Sequence, residues 1–167
     1  MKLMTNKVQT NTVDRIFTII RILLALSPFM ALTYLSVDTA KYGGSLQSIL
    51  QSNPKFTVMF LVAMINPFIA YLLGYLKEHL DDGDYGYAMI NLGLMIIAEL
   101  MLQNLIYVLV LAFLTYQCIK TYKISVKDSV QKTFKNHFLR DISGSIVVLI
   151  FAAICLFAMI QIGQVGI

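Results

Sequence analysis

The chain has 167 residues, of which 58% are hydrophobic and 13% charged, with a mean hydropathy of +0.74. That balance excludes an ordinary soluble domain and makes the chain an integral membrane protein, with too little polar sequence left over for a separate catalytic domain. The excess charge of +4 comes from 13 Lys+Arg against 9 Asp+Glu, and on such a protein its distribution along the chain says more than its total.

Four apolar runs meet the requirement of about 20 residues for a helix that crosses a bilayer core. They are Ile16–Val37, Phe56–Leu76, a long run over Tyr87–Ile119 whose membrane part starts near residue 90, and Ile142–Gly163. The expected fold is all-α: one polytopic domain over 1–167 with four transmembrane helices and a basic amphipathic helix before the last. The first run is too long for a cleavable leader and is followed by three more. No tryptophan is present, and tyrosines near the run ends, such as Tyr34, Tyr75, Tyr85 and Tyr122, are the expected interfacial belt.

Ser27-Pro28 lies in the first run and Asn66-Pro67 in the second. Each proline removes a backbone donor, so a kink is expected at Pro28 and another at Pro67. Facing kinks would leave a small polar space near Asn66. The following stretch, KEHLDDGDYG, gathers Glu78, His79, Asp81, Asp82 and Asp84 without the spacing of a calcium loop, and reads as a turn at Gly83 on the outer side.

The third run carries Glu99, Gln103 and Asn104 in otherwise lipid-soluble sequence. A run of 33 residues would be about 50 Å of continuous helix, longer than the hydrocarbon is thick, so part of it must tilt or lie outside. An ionised carboxylate at membrane depth costs several kcal/mol unless neutralised or paired. Arg21 in the first run is the expected partner, and Glu99, Gln103 and Asn104 would form one polar stripe into the bundle. Helix association is the first reading of these residues. An ion or substrate path through Glu99, Asn66 and Gln103 is the second.

Residues 125–140 place Val126, Val130, Phe134 and Phe138 at four-residue intervals among Lys127, Lys132, Lys135 and Arg140. This is the pattern of an amphipathic helix, with Ser125 and Asp128 as its start, lying on anionic lipid headgroups or docking a partner. A short echo between Leu32–Lys41 and Leu114–Lys123 suggests two duplicated hairpins. With four spans, the loops 38–55 and 120–141 share one side, and their lysines make that side cytoplasmic and put both termini outside. The Lys-rich, Trp-free composition points to a bacterial cytoplasmic membrane.

Cys118 and Cys155 lie far apart in apolar sequence and read as core residues. No metal-ligand spacing, nucleophile elbow, phosphate loop or nucleic-acid motif is present, so an enzyme, a bound cofactor or metal and a nucleic-acid partner are not expected. The leading expectation is a small non-enzymatic accessory subunit of a membrane transport or export assembly, bound to a membrane-protein partner or to copies of itself. The alternatives are a self-sufficient oligomeric transporter or channel, and an immunity-type protective membrane protein.

Overall fold

The computed structural model describes residues 2–42, 45–125 and 142–165. The expected amphipathic helix, including Lys127, Lys132, Phe134, Lys135, Phe138 and Arg140, lies outside the described residues. The rest is helical: α1 (Lys2–Tyr42), α2 (Leu46–Ser52), α3 (Pro54–Asp81), α4 (Tyr85–Met101), α5 (Leu105–Tyr122) and α6 (Ser143–Val165). The fold is the expected all-α bundle. Four helical stretches are long and apolar enough to cross a membrane: Thr12–Val37, Pro54–Asp81, Leu105–Tyr122 and Ser143–Ile162.

Large apolar side chains cover the outside. Phe29, Ile106, Leu109 and Phe157 are each more than 60% exposed, whereas Ser27, Asn66, Asn91, Glu99 and Ser145 are buried. A water-facing protein rarely presents so continuous an apolar surface, but a bilayer solvates it directly. The protein is a multi-pass membrane protein with lipid as its outer solvent.

The third expected span is corrected. It forms two helices, α4 and α5, separated by Leu102-Gln103-Asn104. The amides of Leu102, Gln103 and Asn104 donate to the carbonyls of Ala98, Leu100 and Glu99 at 2.9, 3.1 and 2.9 Å, closing α4 with the six-to-one bond of a left-handed cap. Gln103 takes the left-handed conformation, φ 57°, in the place where glycine is usual. The chain then reverses: Tyr85 at the start of α4 packs on Tyr122 at the end of α5, ring centres 5.9 Å apart.

The other turns fix the remaining directions. Asp82 closes α3, Gly83 has φ 85°, and the Asp84 carboxylate accepts from the Tyr87 amide to open α4. At the opposite end, Asn53 caps α3 ahead of Pro54, and the Thr57 hydroxyl donates to Leu50 of α2 at 2.6 Å. Helix α1 lies antiparallel along α3, from the Asp14–Lys77 ion pair at 2.9 Å to the Tyr34–Phe56 ring contact. Helix α6 packs on α3 and α4, and its start approaches closely because Gly144 faces Leu72; a Cβ there would lie 2.6 Å from a Leu72 methyl.

The chain therefore passes five times between the two ends of the bundle. One end holds the 82–84 turn, the end of α5 and the start of α6. The other holds α2, the start of α3, the 102–104 turn and the end of α6. This corrects the expectation that 38–55 and 120–141 share a side: the first lies at the second end, and the residues flanking the second lie at the first. It also puts the acidic turn at the same end as Lys120 and Lys123, the described basic residues of the 120–141 loop.

Candidate functional site

Both prolines sit inside uninterrupted helices, and the residues that precede them meet: the Asn66 side-chain amide donates to the Ser27 hydroxyl at 2.7 Å. The two X-Pro steps thus face each other across the α1–α3 contact. Asn66 is 1% exposed, and its carbonyl oxygen accepts no hydrogen bond from the described residues. Tyr107 of α5 comes into the same layer. Its hydroxyl donates to the Leu23 carbonyl at 3.4 Å and also meets the Ser27 side chain.

Glu99 completes the layer from α4. It is 0% exposed, and neither carboxyl oxygen has a hydrogen-bond partner among the described residues. Tyr107 lies within electrostatic range, and Asn104 is a polar neighbour whose side chain closes no bond of ordinary geometry on the acid. Native proteins satisfy nearly all such groups, which makes a buried carboxyl without a bonded partner the unusual feature of this bundle.

The expected Arg21–Glu99 pair is not formed. Arg21 is exposed, donates from Nε to the Ala70 carbonyl at 3.3 Å, and lies over Gly74, where a Cβ would sit 2.7 Å from the guanidinium. The cause is depth. Arg21 follows Asp14 by seven residues, about 10 Å from the first end, while Glu99 is fourteen residues into α4, about 21 Å from it. The expected polar stripe also breaks up, because Gln103 is exposed in the turn and Asn104 begins α5. Of the residues singled out from the sequence, Glu99, Asn66 and Asn104 gather in one region; Arg21 and Gln103 do not join them.

A second buried polar contact was not foreseen. The Ser145 hydroxyl donates to Asn91 Oδ1 at 2.5 Å, joining α6 to α4, while the Asn91 amide donates to the Tyr87 carbonyl at 2.9 Å. The signal in the sequence was Asn91 itself, a lone amide eight residues before Glu99. It lines a cavity of about 510 Å³ between α3, α4 and α6. A second cavity of about 430 Å³ lies toward the other end, walled by Lys55, Gln103 and Asn104. Met95 lines the first cavity and Asn104 the second, so Glu99 occupies the stretch of chain between them.

Asp81 and Asp84 have structural partners. Lys77 bridges Asp14 and Asp81, the Tyr122 hydroxyl meets Asp81 at 3.3 Å, and His79 Nδ1 lies 3.5 Å from Asp84. No group of three or more His, Cys, Asp or Glu among the described residues is arranged to hold a metal ion. Cys118 and Cys155 are buried and unbridged in the apolar core. Compared with known protein families, curated proteins and solved structures, the chain has no match.

Proposed function

We propose that the protein is a small non-enzymatic component of a membrane transport system, with Glu99 as its working group. The carboxyl takes up a proton or a small cation from one cavity and releases it toward the other. The observation that carries this reading is the complete burial of Glu99 without a hydrogen bond to either oxygen. A carboxyl serving only as helix glue would be bonded to a neighbouring helix, and an ionised one without a counter-charge would cost several kcal/mol. Ser27, Asn66 and Tyr107 supply the polar surroundings that such an exchange requires.

The first end of the bundle is the cytoplasmic one in this reading. Lys77, Lys120 and Lys123 belong to it, as do Lys2, Lys7 and Arg15 at the start of α1, whereas among the described residues Lys41 and Lys55 belong to the other end; four more basic residues follow Lys123 in the sequence before Ile142. Positive residues concentrate on the cytoplasmic side. The amino-terminal side of α1 is then inside, the carboxyl-terminal end of α6 outside, and the basic 126–141 segment next to anionic headgroups of the inner leaflet.

The experiment is flux through vesicles containing the purified protein under an imposed pH or potassium gradient. Flux that Glu99→Gln abolishes, in a variant that remains monodisperse and helical, supports the reading. A self-sufficient transporter gives that flux alone; an accessory subunit gives it only after co-purification with its partner. Equal flux in the wild type and in Glu99→Gln contradicts a working role for this carboxyl.

A further inference from the structure

The cavity at the cytoplasmic end has a chemistry of its own. Four rings border it: Tyr71, Tyr75 and His79 on α3 and Tyr87 on α4. They form a ladder, with ring centres 6.5 Å apart for Tyr71–Tyr75, 5.7 Å for Tyr75–His79 and 3.9 Å for the stacked His79–Tyr87 pair. An interfacial belt explains Tyr75 and Tyr87 but not Tyr71. That residue lies ten positions before the end of α3, about 15 Å into the bundle, yet it is 62% exposed.

At the floor, Asn91 Oδ1 accepts from Ser145 and its amide donates to the Tyr87 carbonyl, so this side chain is held by the protein itself. No Lys or Arg borders the cavity among the described residues, and the Asp84 carboxylate lies 3.5 Å from His79 Nδ1. Aromatic rings and a nearby carboxylate favour a cation, and ring contact suits one that carries alkyl groups. The volume of 510 Å³ is that of a small-molecule site.

We propose that this cavity binds a quaternary ammonium group. The site goes beyond the role given to Glu99 and can fail without it. The same chemistry is offered by a free trimethylammonium compound and by the headgroup of phosphatidylcholine, and the experiment separates them.

The full-length protein in phosphatidylglycerol nanodiscs is titrated with choline and with its neutral isostere, in which a quaternary carbon replaces the nitrogen. Choline is expected to bind about tenfold more tightly, the ratio that a partly desolvated cation–π contact supplies. Tyr75→Leu is expected to erase that preference, Tyr75→Phe to keep it, and Glu99→Gln to leave it unchanged. Repeating the titration in phosphatidylcholine nanodiscs assigns the source: weakened choline binding identifies the headgroup as occupant, and undiminished binding identifies a free cation. Equal affinity of choline and its isostere overturns the proposal, and this comparison needs only the unaltered protein. A preference that survives Tyr75→Leu in a folded variant overturns the placement.

Discussion

A carboxyl without solvent or hydrogen bonds changes what its replacement does to stability. If Glu99 were helix glue, removing it would loosen the bundle. Because both oxygens are orphaned, Glu99→Leu instead relieves a desolvated polar group and is expected to stabilise the folded protein by about 1–3 kcal/mol, the usual cost of an unsatisfied buried group, while abolishing flux. Unfolding in mixed detergent micelles measures it, and a destabilised Glu99→Leu would return the residue to a structural role. The Ser27–Asn66 bond is an ordinary interhelical contact by comparison. A double-mutant cycle of Ser27→Ala and Asn66→Ala is expected to give a coupling of about 0.6 kcal/mol. A coupling near zero would mean that the bond does not hold the α1–α3 contact.

The elements turn on one left-handed residue. Gln103 at φ 57° carries a side chain where the backbone favours glycine, so Gln103→Gly is expected to stabilise the α4–α5 hairpin by about 1 kcal/mol. Gln103→Val, with its branched Cβ, is expected to destabilise it by at least that much. Both follow from thermal or denaturant unfolding, and a neutral Val variant would contradict the left-handed turn. This residue also explains the limit of what the sequence disclosed. The apolar runs, the capped turn at Gly83 and the pairing of the two X-Pro steps follow from composition, breakers and spacing. The 102–104 turn has neither glycine nor proline, and its two amides have the same letters that helix-to-helix hydrogen bonding would use. The one available signal was length, a run of about 50 Å for a hydrocarbon layer of about 30 Å. The loss of the Arg21–Glu99 pair follows from that turn, because depth along α4 is counted from the end that holds the 82–84 turn.

For the whole molecule, the same turn decides how the chain is threaded. Four helices meet the length and hydropathy of a span, and α4, with 17 residues or about 25 Å, runs the same course between α5 and α6. Five passes put the start of α1 and the end of α6 at opposite ends of the bundle and leave Glu99 in the stretch of chain between the residues that line the two cavities. The threading is read most directly by cysteine labelling. In a Cys118→Ala/Cys155→Ala background, Gly83→Cys and Gln103→Cys are each exposed to a membrane-impermeant maleimide in sealed right-side-out and inside-out vesicles. The five-pass bundle predicts that residues 103 and 83 label from opposite sides, and the proposed orientation that residue 103 labels from the outside. A residue 103 that is shielded from both sides, or that labels from the same side as residue 83, would contradict it.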